Sequence, residues 1–230
     1  MKEETRMMQE PSVEFPRVAL CWITPDADLL IARIARVSNP ANEGNDATAE
    51  RLIRYMIRHK HWSPFEMASM CLEIVTTRDI ARQLLRHRSF SFQEFSQRYA
   101  EVDSLPPAPL REARLQDTKN RQNSLETDDD ALHREWERRQ SEVMTIAKRH
   151  YEWAILNGIA KEVARAQLPE GLTTSRLYMA GTIRSWLHFC GLRRGVETQK
   201  ETRLIAEKAW AQLAFSTPLV AAAWEGQHAG

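Results

Sequence analysis

The residues best suited to chemistry sit in one stretch, Arg86-His87-Arg88-Ser89-Phe90-Ser91-Phe92-Gln93-Glu94-Phe95-Ser96-Gln97-Arg98-Tyr99. Arginines are almost never buried without a partner, so a cluster this dense needs solvent or anions. Upstream, Ile80-Ala81-Arg82-Gln83-Leu84-Leu85 runs without Gly or Pro and reads as helix. That places Gln83, Arg86 and His87 on one face at i, i+3, i+4. Arg82 and Arg86 are four apart, a like-charge pairing that weakens an isolated helix and asks for a negative partner. If the chain beyond Phe92 is extended, Glu94, Ser96 and Arg98 project to one side. The stretch then offers amide, guanidinium, imidazole, hydroxyl and carboxylate groups together, a set that suits a phosphate and a base.

The elements that must position these groups can be read in outline. Val18-Ala19-Leu20-Cys21-Trp22-Ile23 is a short apolar run ending at Thr24-Pro25, consistent with a buried strand. Asp26 is the expected cap of a helix through Val37, and Ser38 to Asn45 breaks it with turn chemistry. Asp46 or Thr48 starts the next helix, with Ala49, Leu52, Ile53, Met56 and Ile57 buried. Met67 through Val75 alternates, with Ala68, Met70, Leu72 and Ile74 on one face, and predicts a strand buried on one side. Thr76 or Thr77 caps the helix carrying Arg86. Residues 105–128 are a long polar excursion, either a linker or a functional lid. A long helix follows from about Asp129 to Asn157, interrupted by Gly158. A short helix carries Arg165, then Tyr178–Arg193 and Thr198–Phe215 read as further helices. The expected fold is α+β and a single domain: a small, largely antiparallel sheet packed with several helices, one of them long. Residues 1–12 are expected as a flexible N-terminal tail, 13–215 as the domain and 216–230 as a C-terminal tail.

Composition narrows the function. Of 230 residues 43% are hydrophobic, enough for a real core in one domain. The 32 basic residues nearly cancel the 31 acidic ones, whereas a protein that tracks nucleic-acid phosphates shows a larger basic surplus. The arginines near position 86 therefore mark a local site, and no nucleic-acid partner is expected. No apolar run of about 18 residues exists, and Met1-Lys2-Glu3-Glu4-Thr5-Arg6 lacks a signal peptide's apolar region, so no membrane span or export is expected. Cys21, Cys71 and Cys190 form neither an even framework nor a metal spacing, which leads us to expect a reduced cytoplasmic protein without a metal. No Gly-rich phosphate loop is present, which excludes a Rossmann or P-loop nucleotide site.

Other clusters have bland and functional readings side by side. His59-Lys60-His61-Trp62-Ser63-Pro64-Phe65-Glu66 either compensates a helix C-terminus or places imidazoles at a site. Arg165 is either a solvated helix charge or an anion ligand. Arg184 and His188 lie four apart on one helix face with Arg193-Arg194 at its end, and part of that face is expected to meet an anionic ligand. The residues alone reach a nucleotide-sized anion site on an α+β protein and do not name a reaction.

With seven residues between Arg88 and Ser96, the stretch resembles the signature of flavin-dependent thymidylate synthases. Gln93-Glu94-Phe95-Ser96-Gln97-Arg98-Tyr99 resembles the family's Asn-Glu-x-Ser-x-Arg-Tyr, with Gln for Asn. Further segments look like family segments in the right order: Ala35-Arg36-Val37-Ser38, His61-Trp62-Ser63-Pro64-Phe65-Glu66, Leu115-Gln116-Asp117 and Leu168-Pro169. So do Gly181-Thr182-Ile183-Arg184-Ser185-Trp186-Leu187-His188-Phe189 and Thr198-Gln199-Lys200-Glu201. The resemblance implies reductive methylation of dUMP to dTMP in de novo dTMP biosynthesis. It further implies methylenetetrahydrofolate as carbon donor, FAD as hydride carrier, NADPH as reductant, and homotetramers with shared active sites.

Carried over residue by residue, the resemblance places Gln83, Leu84, Leu85, Arg86, Glu94, Phe95, Ser96, Gln97, Arg98, Arg165 and Arg193 around dUMP. It places His61, Ser63, Arg86, His87, Arg88, Glu94, Thr182, Ile183, Arg184 and His188 around FAD. Arg193 matches the arginine expected to favour ionisation at the uracil N3, which would make C5 more nucleophilic. That role suits a chain in which no cysteine is placed to attack the ring. Thr182 and His188 stand where the family often has Asn, Glu197 where some members have His, and Met67 where many do. Ser96 is expected to position substrate, since only Glu94 or His87 could serve as its base. Two other readings remain: a methyltransferase acting on uracil in RNA, and a single-stranded nucleic-acid module stacking bases on Phe90, Phe92, Phe95 and Tyr99.

Overall fold

The structure, a computed structural model, describes residues 15–228. The expected tail over residues 1–12 lies outside them. In chain order the elements are β1 (Arg17–Ile23), α1 (Ala27–Ile34), α2 (Ala49–Arg58), β2 (Ser69–Thr77), α3 (Arg78–Leu84) and β3 (Ser91–Glu94). A small hairpin of β4 (Leu115–Gln116) and β5 (Ser124–Leu125) leads to the long helix α4 (Asp130–Leu156) and the short α5 (Lys161–Ala164). Then come β6 (Thr174–Thr182), α6 (Ile183–Arg193), α7 (Lys200–Ser216) and α8 (Pro218–His228). The main sheet is antiparallel, in the order β1-β2-β6-β3. The fold is α+β, with one long helix, as the sequence predicts.

The sheet is held by its inner face. Met70, Leu72 and Ile74 of β2 and Leu177 and Met179 of β6 are fully buried against helices that supply Ile31, Ile53, Trp186, Ile205 and Leu213. Ala68, Met70, Leu72 and Ile74 share that face, as the alternation predicts. Cys71 and Val75 on the other side are also nearly buried, because β1 and β6 flank the strand on both edges. The outer face carries Tyr178, which donates to Glu73 at 3.0 Å, and Arg17, ion-paired with the same carboxylate.

Four expectations are corrected. Asp26 precedes α1 in a left-handed conformation (φ 48°) without a side-chain capping bond, and the helix ends at Ile34, leaving Val37 exposed. Arg86 lies beyond the end of α3 instead of on it. Residues 174–182, of which 178–182 read as the start of a helix, are the strand β6, and the helix begins only at Ile183. Residues beyond 215 are no tail: α8 places Val220, Ala223 and Trp224 in the main core. Asp28 of α1 fixes the start of α8 by accepting from the backbone N–H of Leu219 (2.8 Å) and Val220 (3.1 Å), groups that a helix start otherwise leaves open.

The 105–128 excursion is tied down along its length. Arg111 donates to Thr77 and Asp79, and Lys200 reaches Glu112 and Glu126, both at 2.8 Å. Asp129 caps α4 by accepting from Leu132 N–H at 3.0 Å, and Gly158, at φ 75°, ends the helix in a conformation a side chain would resist.

The packing of α8 generates a test. Gly191 of α6 lets the Trp224 ring approach so closely that a Cβ there would stand 2.7 Å from it. Replacing Trp224 by Ala should cost about 3–5 kcal/mol in urea unfolding, the usual range for deleting a buried aromatic. A loss below about 0.5 kcal/mol, the scale of a surface substitution, would mean that α8 lies outside the cooperative core.

Candidate functional site

Two strands and the segments leaving them build the site. β2 feeds α3, whose last turn carries Gln83 and Leu84, with Leu85 as the cap residue. Arg86 to Phe90 form a turn, held because Ser185 at the start of α6 donates to the Ser89 carbonyl at 3.2 Å. β3 then pairs with β6, Ser91 opposite Ala180 and Glu94 opposite Leu177. Pairing ends there. Residues 96–100 turn instead of running extended, with Tyr99 and Ala100 N–H both donating to Ser96 O at 3.0 Å. The expected side-by-side projection of Glu94, Ser96 and Arg98 therefore does not form, because the strand ends at Glu94.

Three neighbourhoods follow. In the first, Gln97, Arg165 and Arg78 line a cavity of about 410 Å³. Gln97 is buried and its Nε2 has no hydrogen-bond partner among the described residues. Among the described residues Arg165 donates only to the Glu162 carbonyl (3.2 Å), and Arg98 lies 3.7 Å from the Glu162 carboxylate. The second is a cavity of about 420 Å³ lined by Glu94, Phe95, Ser96 and Tyr99. Glu94 accepts from buried Ser175 at 2.7 Å, and Arg78 stands 3.8 Å away. Ser96 and Arg165 thus line different cavities in one chain.

The third neighbourhood joins α6 to the 61–66 turn. Thr182 caps α6 by accepting from Ser185 N–H at 3.2 Å. Arg184 is ion-paired with Glu66, and His188 meets the Trp62 ring edge-on at 4.8 Å. Burial first, and then the Arg184 guanidinium, lower the His188 pKa. His61 and Ser63 are exposed on the same turn. Ile183 and Leu84 are fully buried in the core, so their side chains pack and do not face a ligand. Between the neighbourhoods lie Arg86 and Arg88, both exposed and without a carboxylate partner among the described residues, and a bond from Arg193 Nε–H to His87 Nε2 at 3.0 Å. Burial and the Arg193 charge lower the His87 pKa.

Sequence reasoning missed several partners. Glu66 neutralises Arg184, Ser175 holds Glu94, and Gln199 accepts from Gln83 Nε2 at 2.7 Å while Thr202 donates to Gln83 Oε1 at 2.8 Å. Glu66 and Gln199 lie inside segments singled out above, where a carboxylate or amide beside cationic residues was the available signal; Ser175 had none. Chemically, the site offers uncompensated guanidinium groups for anions and a fixed arginine for charge developing on a ring. It offers no activated thiol: burial pushes Cys71 to about 11 and Cys190 to about 12, so both stay protonated. Among the described residues no three His, Cys, Asp or Glu side chains gather as a metal would require, and no helix is long and apolar enough to cross a membrane.

Known proteins resemble this chain in sequence and fold. The family model described as thymidylate synthase complementing protein matches residues 19–219. A probable flavin-dependent thymidylate synthase of Paramecium bursaria Chlorella virus 1 is 52% identical over 175 residues, 76% of this chain and 80% of its own. A flavin-dependent thymidylate synthase of Synechocystis is 48% identical over 196 residues, 85% of this chain and 88% of its own. Among solved structures, a UMP/dUMP methylase from Streptomyces cacaoi bound with 5-Br UMP superposes with a TM-score of 0.79 at 29% identity, covering 91% of this chain and 93% of its own.

The junction of β6 with the 86–90 turn can be probed directly. At Gly181 a Cβ would meet the Phe90 ring at 2.4 Å, and that ring is wedged against Trp186 at 4.8 Å between centroids. Gly181→Ala should lower the melting temperature and speed amide exchange across 86–90, with the long helix unaffected. Unchanged exchange there would show that Phe90 does not anchor the turn.

Proposed function

The chain belongs to the flavin-dependent thymidylate synthase family, and from that premise we propose that it converts dUMP to dTMP by reductive methylation. In this reading methylenetetrahydrofolate donates the carbon, and bound FAD would pass on reducing equivalents from NADPH. The observation that carries it is the buried Gln97 Nε2, on the segment that matches the family signature, which has no partner among the described residues and belongs to a residue lining an anion-sized cavity together with Arg165. Buried donors are rarely left open in folded proteins, so a ligand oxygen is the natural acceptor. Gln97, Arg98 and Arg165 would hold the dUMP phosphate, with Ser96, Phe95 and Glu94 positioning the nucleotide from the adjoining cavity. Gln83, with Leu84 and Leu85 contributing backbone, would border the base.

The flavin reading rests on a fit of residue types. Arg86 and Arg88 are exposed cations without carboxylate partners among the described residues, which suits a diphosphate. His87, His61, Ser63, Thr182, Arg184 and His188 would supply further donors, and Glu94 would close the set. Ile183, buried, would contribute backbone alone. Arg193 is the proposed catalytic residue: a permanent cation beside N3 and O2 would stabilise negative charge on uracil and make C5 more nucleophilic without a thiolate. The raised thiol pKa values of Cys71 and Cys190 support a route of this kind.

We further propose a homotetramer with active sites shared between subunits. Val143, Ile146, Trp153 and Leu156 of α4 are at least half exposed, an apolar surface that an assembly would cover, and the two nucleotide cavities are separate within one chain. Free cysteines suit a cytoplasmic setting.

Purified protein should be yellow, its flavin absorbance bleached by NADPH, and should label free dUMP from methylenetetrahydrofolate in preference to UMP or uracil in RNA. Colourless protein that takes up no flavin would sink the reading. Arg193→Ala should retain flavin and lose turnover by about 10²–10³, the effect of removing one group that stabilises a transition-state charge. Ser96→Ala should raise the dUMP KM while leaving measurable turnover; abolished turnover with intact dUMP binding would instead make Ser96 a nucleophile.

A further inference from the structure

We propose that His87 is a positioning residue, a neutral imidazole whose Nε2 lone pair accepts from Arg193 Nε–H and fixes the guanidinium that acts on the substrate. The inference rests on the reading of Arg193 given above and extends it to the group that aims it.

The geometry dictates the protonation state. A guanidinium is always charged and has only donors, so the 3.0 Å contact to His87 Nε2 requires a lone pair there. The ring must then be neutral with its proton on Nδ1. Using Nε–H for this contact fixes the plane of the guanidinium and leaves both terminal nitrogens free to form a two-pronged donor toward a ring N3 and O2. Nδ1–H becomes the donor His87 can offer any second acceptor, including a flavin.

The surroundings favour that state. Phe189 of α6 meets the imidazole edge-on at 5.0 Å, and Phe90 does so at 6.5 Å, so the ring is flanked by apolar surface. Arg86 and Arg88 flank it along the chain, and Arg193 closes the end of α6. A helix C-terminus ordinarily favours a protonated histidine, but Arg193 already occupies that place. Burial, and after it the Arg193 charge, lower the His87 pKa from its usual 6.5. The sign follows: at neutral pH the bond is intact. As the pH falls through the depressed pKa, the ring protonates, the lone pair is lost and two cations face each other. Arg193 is then released from its orientation.

Two measurements test this on the flavin-loaded protein. In the first, histidine-labelled protein is titrated by NMR, with the His87 signals assigned by their loss in His87→Gln. His87 should carry its proton on Nδ1 at pH 7 and titrate below 6.5, and its pKa should rise in Arg193→Ala. A proton on Nε2, or a pKa indifferent to Arg193→Ala, overturns the inference whatever the activity. In the second, kcat for dTMP formation is followed against pH. Wild type should show an acid limb that His87→Gln, which keeps an acceptor without a titrating group, lacks. His87→Leu, with no acceptor, should lose about tenfold in kcat at neutral pH while the dUMP KM changes far less, the pattern of a lost transition-state interaction. One common pH profile for all three proteins overturns the positioning role. Near-normal turnover in Arg193→Ala with the NMR behaviour as expected would overturn the catalytic premise instead, so the two failures are distinguishable.

Discussion

β2 runs against β6 over nine residues in unbroken antiparallel register, from Ser69 opposite Thr182 to Thr77 opposite Thr174, and the site hangs from that pairing. Register in a sheet with a buried face is all-or-none: a one-residue slip turns every side chain to the opposite face. Here it would expel Leu177 and Met179, both fully buried, and push Arg176 and Tyr178 into the core. The cost fixes the alignment, and the alignment fixes the rest. β2 hands the chain to α3 at one end of the pair, and β6 hands it to α6 at the other. β3 returns along β6, which sets Ser91 opposite Ala180 and brings the 86–90 turn against the start of α6. Arg193, more than a hundred residues from His87 in sequence, meets it because of this frame.

That decisive strand was the element least legible in the sequence, for a definite reason. Met179, Ile183, Trp186, Leu187 and Cys190 fall at i, i+4, i+7, i+8 and i+11, and all are buried. The spacing of α6 therefore extends backwards into β6 by coincidence, and helical periodicity absorbs the end of the strand. The competing pattern was present in Arg176 and Tyr178 outward against Leu177 and Met179 inward, bounded by the cap at Thr182. Short alternation loses to long periodicity when the two overlap. β2 was readable because nothing helical overlaps its alternation. α8 was missed because Ala221, Ala222 and Ala223 give a weak amphipathic signal, and its burial depends on Gly191 and Asp28, both remote in sequence.

The candidate site was legible in composition and not in geometry. The signature pointed to the family, and the α+β class followed from the run of elements. The residues did not disclose that 96–100 turn away from the strand, or that Glu66 stands against Arg184. Both depend on long-range packing. The carboxylate partners divide the arginines in a way sequence could not: Arg184 and Arg98 have them, while Arg86, Arg88, Arg165 and Arg193 do not, among the described residues. A guanidinium already paired offers less to an incoming anion than one still facing water.

The neutrality of His87 completes that electrostatic logic. A histidine between two arginines and against a third would add another positive charge if it protonated, in a spot where burial already disfavours any charge. The structure resolves the conflict by making the imidazole the acceptor in a set otherwise made of donors. A guanidinium without such a partner would be free to swing about its long side chain, and a charge that must act on one edge of a ring gains only if its direction is fixed beforehand. Anchoring through Nε, which leaves both terminal nitrogens open, is the geometry that fixes direction without spending the groups that the proposed role at the uracil ring requires. The sequence neighbours of His87 bring the cations, the register of β6 brings Arg193, and the one neutral member of the cluster determines where that charge points.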